Sequence, residues 1–228
     1  MKVIYEDNHI IAVAKQPGEI VQGDKTGDEP LVEKVRAYIK DKYDKPGNVF
    51  CGLVHRLDRP VGGVVLFAKT SKALSRLNDM LRNGEIKKTY WAITRNIPEP
   101  PQARIEGYIR SVEKNNKSYF SKEHKKDSKF AALSYKLIGK GKTASLLEIN
   151  LETGRKHQIR VMLSSIGCPV MGDLKYGDRR SNPDGSISLL ARSVDFIHPV
   201  SKLPVHIQAP VPDTPLWQAL AGSIVTPD

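Results

Sequence analysis

Short apolar runs follow one another along this chain with little helix between them, and that adjacency limits its fold more than any other feature. Val3-Ile4-Tyr5 and residues 10–14 flank Glu6-Asp7-Asn8, which reads as two strands joined by a turn, the second closed by Gln16-Pro17-Gly18. Residues 49–54, 64–68, 86–94, 103–109, 130–137, 144–150, 189–196 and 205–208 have the same strand character. Helical spacing is confined to four places. Asp28 can cap a helix over 29–40, where Leu31, Val32, Val35, Tyr38 and Ile39 share a face. Thr70 or Ser71 can cap a second over 71–83, with Ala73, Leu74, Leu77, Met80 and Leu81 as its stripe and Gly84 as its stop. A third spans 156–166 ahead of Gly167, and a short fourth 215–221. Strands outnumber helices and adjoin one another, so the expected fold is α+β, with a large, mainly antiparallel sheet and flanking helices.

At 228 residues the chain can bury roughly 72% of its extended surface, enough for one real core. A single domain over residues 1–228 is expected, with the Pro98-Glu99-Pro100-Pro101 cluster as its waist. The apolar run 10–14 stops at Lys15, and none approaches the roughly 18 residues of a membrane span, so a cytoplasmic protein with no membrane attachment is expected. Cys51 and Cys168 lack CxxC spacing or a histidine at ligand spacing and read as buried small apolar residues; neither a disulfide nor a metal site is expected. Lys and Arg exceed Asp and Glu by 36 to 25, a net charge of +11 that favours an anionic partner, nucleic acid being the commonest.

Two segments concentrate the chemistry. In His55-Arg56-Leu57-Asp58-Arg59-Pro60, an aspartate at the end of a buried strand with Arg56 and Arg59 near in sequence stays ionised at neutral pH and can attack an electrophilic carbon or take a proton. The same segment also reads as a structural ion-pair loop. The run Glu152 to Arg160 packs Arg155, Lys156, His157 and Arg160 into the start of a helix, where cations are unfavourable unless an anion sits there. A phosphate or a carboxylate such as Asp58 would serve; a solvated basic face is the plain alternative. Arg160, beside Ile159 and Leu163, should reach inward or across the rim. From 114 to 129, Lys114, Lys117, Lys122, Lys125, Lys126 and Lys129 are interleaved with Tyr119, Phe120 and His124, which describes either an arm that grips a nucleic-acid backbone or a solvated hairpin. Lys175, Arg179 and Arg180 form a second basic loop running to the turn Asn182-Pro183-Asp184-Gly185, and His198 and His206 read as structural.

Taken in order, His55-Arg56-Leu57-Asp58, the run Gly63 to Thr70, Lys87-Lys88-Thr89-Tyr90, Thr153-Gly154-Arg155-Lys156-His157-Gln158-Ile159-Arg160 and Gly172-Asp173-Leu174-Lys175-Tyr176-Gly177 resemble the RluA group of pseudouridine synthases. The resemblance runs from Tyr5-Glu6-Asp7 and Lys15-Gln16-Pro17-Gly18 to about Pro199. It implies a pseudouridine-synthase catalytic domain, an isomerase that flips a uridine out of RNA and makes it a C-glycoside without cofactor or metal. It further implies Asp58 as the catalytic aspartate, Tyr90 as the active-site tyrosine and Arg160 as the arginine paired with that aspartate. Arg56 matches the arginine that fills the space left by the flipped base. On pattern alone, Tyr90 is a strand core residue.

RNA contacts are then expected from Arg59, Arg155, Lys156 and His157, from Lys122, Lys125 and Lys126 of the arm, and from Lys175, Arg179 and Arg180. Because the pattern begins at the start of the chain, no separate amino-terminal RNA-binding module is expected, and a monomeric catalytic domain would itself choose ribosomal or transfer RNA. Two rival readings are a catalytically silent RNA-binding protein, opposed by the joint presence of Asp58, Tyr90 and Arg160, and an Asp-nucleophile phosphate hydrolase, opposed by the lack of a second acid near Asp58 to hold Mg²⁺. The sequence departs from the family where Gly62-Gly63 replaces the usual Ser-Gly. Paired glycines add backbone freedom and are expected to loosen the loop that holds Asp58.

Overall fold

In the computed structural model, which describes residues 1–224, the chain forms two compact units, one of residues 1–87 and 191–210, the other of residues 88–190 and from 211 onward. The division does not fall at Pro98-Glu99-Pro100-Pro101. That cluster joins two strands that both find their ladder partners inside the second unit, so it is an internal turn and not a waist.

The first unit contains β1 (Lys2–Glu6), β2 (Ile10–Lys15), α1 (Leu31–Lys42), β3 (Gly52–Leu53), β4 (Gly62–Ala68) and α2 (Ser71–Arg82). β2 runs antiparallel to β1 and to β4, from Ile10 opposite Ala68 to Lys15 opposite Gly63. Every residue of β2 and β4 is buried, which is why both read as continuous apolar runs rather than as alternating ones. Leu31, Val35 and Ile39 of α1 pack onto Ile11, Val13, Val65 and Phe67, each such side chain contributing about 1.5–3 kcal/mol. α1 starts two residues later than its sequence suggests. Pro30 occupies the cap position without a side-chain bond, and the Asp28 carboxylate instead takes the Arg59 guanidinium. α2 begins as expected, with Thr70 Oγ1 accepting the Ala73 N–H at 3.1 Å, and Gly84 follows its end at φ +73°.

The second unit is an antiparallel sheet in the order β5 (Lys87–Thr94), β9 (Ser145–Leu151), β8 (Lys129–Lys140), β6 (Gln102–Val112) and β7 (Lys117–Ser121). It also holds α3 (Gln158–Ser165), a 3₁₀ turn at Leu174–Tyr176 and α4 (Pro215–Gly222). β10 (Leu189–Ile197) reaches the first unit beyond Leu190 and there pairs with β11 (Pro204–Gln208). The α+β reading with mainly antiparallel strands holds.

Among the described residues no helix is long and apolar enough to cross a membrane. Cys51 and Cys168 are free and buried, and burial pushes the Cys51 thiol up to about 12. His198 is structural: its Nε2 lies 2.9 Å from Asp7, and its Nδ1 accepts the N–H groups of Val200 and Ser201.

Candidate active site

The charged segment 55–61 is fixed by its backbone. Lys15, 1% exposed at the end of β2, aims its ammonium at the carbonyls of Val61 (2.7 Å), Arg59 (3.0 Å), Gln16 (3.1 Å) and Asp58 (3.4 Å). Burying an ammonium is costly unless its protons are satisfied, and here the loop's own carbonyls satisfy them. Burial lowers the Lys15 pKa to about 8, against the opposing pull of Glu19 and Asp58. The Val61 N–H closes a turn onto the Asp58 carbonyl (3.0 Å), Gly18 N–H donates to the Arg59 carbonyl (2.8 Å), and Leu66 N–H donates to His55 Nε2 (3.2 Å). On this backbone Asp58 is half-buried, and Arg56 and Arg59 are exposed.

The two glycines do not loosen this loop. Both lie inside buried β4 rather than in the loop itself, and the ladder to β2 holds Gly63 opposite Lys15. Gly63 sits at φ +120°, and a Cβ there would come within 2.2 Å of the Ala191 carbonyl oxygen, so only glycine fits. At Gly62 a Cβ would lie 3.2 Å from Pro17 and 3.3 Å from the Lys15 carbonyl.

In the second unit Tyr90 is buried on β5. Lys88, two residues earlier on the same face, is half-buried; burial lowers its pKa, and a Cβ on Gly154 would sit 3.4 Å from its Nζ. The loop before α3 is tied to β8: Gln158 Nε2 donates to the Ala132 carbonyl (2.9 Å), and Gln158 Oε1 accepts from Thr153 Oγ1 (2.7 Å) and Arg155 N–H (2.9 Å). His157 caps the helix in the left-handed region, φ 55°, so Arg155 and Lys156 precede the first turn and stay exposed. Arg160 turns inward, as its place on the stripe suggests. Its Nε and an Nη donate to both carboxylate oxygens of Asp173 (2.6 and 2.9 Å), a buried bidentate pair. Asp173 thus supplies a carboxylate to the cation cluster, from a motif whose role the sequence did not disclose.

The basic segments separate into two kinds. Lys122, Lys125 and Lys126 are exposed between β7 and β8, beside Phe130, which is 43% exposed, and Arg179 and Arg180 are exposed as well. His157, by contrast, is buried with its Nδ1 2.7 Å from the Tyr176 hydroxyl, because the left-handed cap turns it into the interior and away from the solvent-facing position expected of an RNA contact. Lys175 donates to the Asn116 carbonyl at 2.9 Å.

A family model for RNA pseudouridylate synthase matches residues 9–165. This chain belongs to that family. Within it, the RluA group is indicated by relatives named ribosomal large subunit pseudouridine synthase C and D, and the family's enzymes are isomerases that convert uridine to pseudouridine in RNA. An uncharacterized RNA pseudouridine synthase of Bacillus subtilis is 31% identical over 93% of this chain and 70% of its own length. Ribosomal large subunit pseudouridine synthase D of Xylella fastidiosa is 30% identical over 97% of this chain and 69% of its own. tRNA pseudouridine synthase C of Vibrio cholerae is 30% identical over 96% and 94%. Among solved structures, human RNA pseudouridylate synthase domain containing 4 has a TM-score of 0.78 at 21% identity, covering 93% of this chain and 89% of its own, which shows a shared fold. Asp58, Tyr90 and Arg160 fall inside the matched span; Asp173 and Tyr176 lie beyond it.

Proposed function

We propose that this pseudouridine synthase isomerises particular uridines in ribosomal or transfer RNA, with Asp58 as the catalytic carboxylate. The proposal rests on the fixation of the Asp58 loop, since a buried ammonium spent on four loop and strand-end carbonyls is the kind of support that a precisely held carboxylate requires. Breaking the bond between C1′ and N1 leaves C1′ electron-poor, and an ionised carboxylate can stabilise or trap it or remove the 2′ hydrogen. The uracil then turns and bonds through C5, after which the C5 hydrogen leaves; Tyr90 faces the base and assists that step. Arg160 is the arginine that the family resemblance assigns to the catalytic aspartate, and its guanidinium is held in place by Asp173. Arg56 takes the place of the flipped base, while Arg59, Arg155, Lys156, the arm lysines, Arg179 and Arg180 hold phosphates.

Relatives named for both RNA classes lie at similar identity, so both are candidate substrates. The enzyme acts as a cytoplasmic monomer in this proposal. Carbodiimide treatment and reverse transcription of total RNA, from strains with and without the gene, marks each pseudouridine as a stop. Loss of a stop in ribosomal or transfer RNA names the target; an unchanged pattern in both contradicts the proposal.

A further inference from the structure

Tyr176, at the end of the 3₁₀ turn and 4% exposed, lies against two cationic side chains of the second unit. Its ring centroid lies 5.0 Å from the Arg160 guanidinium carbon and 5.6 Å from the Lys117 ammonium of β7, both within cation–π range. Its hydroxyl accepts the Ser118 N–H of β7 at 2.8 Å and bonds His157 Nδ1 at 2.7 Å. The neighbouring Lys175 holds the carbonyl of Asn116, in the turn that leads into β7, and Ser118 Oγ donates to the Lys156 carbonyl ahead of α3. Three residues earlier Asp173 grips Arg160 from its carboxylate side. A four-residue segment therefore fixes one guanidinium by two independent means and fastens it to the strand from which the basic arm extends.

We propose that Tyr176 is a positioning residue for Arg160, its ring setting the guanidinium and its hydroxyl anchoring that ring to β7. The inference rests on the reading of Arg160 as the partner of the catalytic carboxylate. Tyr176 touches no reacting atom in this scheme. The ring should matter to the chemical step and the hydroxyl much less, because the phenyl face carries the charge that attracts the cation.

The experiment measures single-turnover isomerisation at saturating RNA, RNA affinity and thermal unfolding for Tyr176→Leu, Tyr176→Phe and Arg160→Met. Tyr176→Leu should slow the step roughly fivefold or more with RNA affinity within about threefold of the natural chain, and Tyr176→Phe should recover most of the rate. Placing phenylalanine analogues with one, two and three ring fluorines at position 176 keeps the shape and drains the ring face of charge, so the rate should fall stepwise with fluorination. That series also decides the matter if the leucine variant fails to fold. A flat series, or leucine and phenylalanine variants of equal rate, overturns the inference while a slow Arg160→Met leaves the reading of Arg160 standing. A normal rate in Arg160→Met overturns both.

Discussion

The loop of residues 55–61 and the two turns of the basic arm, residues 113–116 and 122–128 on either side of β7, are charged connections between strands, and the structure treats them in opposite ways. The loop's carbonyls converge on one buried ammonium, its turn is closed by the Val61 N–H, and its flanking strand is buried throughout. The arm keeps Lys114, Lys122, Lys125, Lys126 and Lys129 exposed, and its turns pass through the left-handed region at Asn116 and Asp127. Under the proposed function, the difference follows from what each region would have to do. A carboxylate that must meet one carbon atom needs a backbone with no freedom, whereas phosphates of a long polyanion can be met by mobile side chains whose worth lies in counterion release.

The largest test of this contrast falls on the loop's flank. Gly63→Ala places a Cβ against the Ala191 backbone at a φ that alanine avoids, and should cost about 3 kcal/mol or more, read as a lower urea midpoint. Retention of the natural midpoint would mean the flank can yield.

Next, Lys15→Met strips the loop carbonyls of their donor and should cost ~2 kcal/mol in unfolding while slowing isomerisation more than it weakens RNA binding. The pH dependence has a defined sign. Lys15 loses its proton at about 8 when folded and near 10.5 when unfolded, so between those values the unfolded chain binds the extra proton. The stability of the natural chain relative to Lys15→Met should therefore rise across that window, even as an amine with fewer protons holds the loop less well and the rate falls. A difference that stays level from pH 8 to 10 contradicts the assignment.

The smallest effect on folding belongs to the arm. Replacing Lys122, Lys125 and Lys126 with Gln should leave unfolding within about 0.5 kcal/mol of the natural chain, because all three are exposed. It should weaken binding to all RNAs at low salt and flatten the slope of log affinity against log salt by about two units, at roughly 0.7–0.9 per contact. Filter binding at several salt concentrations reads it; an unchanged slope would move the RNA grip to other basic residues such as Arg179 and Arg180.

What the sequence disclosed follows from the same physics. β2 and β4 are legible because burial on both faces makes them unbroken apolar runs, and α2 because Thr70 and Gly84 mark its ends. β7 was hidden, since Lys117-Ser118-Tyr119-Phe120-Ser121 lacks a clean apolar run and becomes a strand only through its ladder with β6. The start of α1 shifted because Asp28 serves a partner 31 residues away. Lys15 reads as the stop of an apolar run, and nothing local shows that its partners lie 43 to 46 residues on. Asp173 and Tyr176 stand in the motif of residues 172–177, but their contacts with Arg160 appear only once the fold sets the 3₁₀ turn beside α3.

The central claim is that Asp58 carries the chemistry while the exposed basic residues carry the binding. Its direct test is Asp58→Asn, measured for isomerisation in a single turnover and for RNA affinity side by side. The neutral isostere should turn over at less than about a hundredth of the natural rate with affinity within a few-fold, since it removes one charge and leaves the basic residues untouched. Turnover above that level with intact binding would contradict the account.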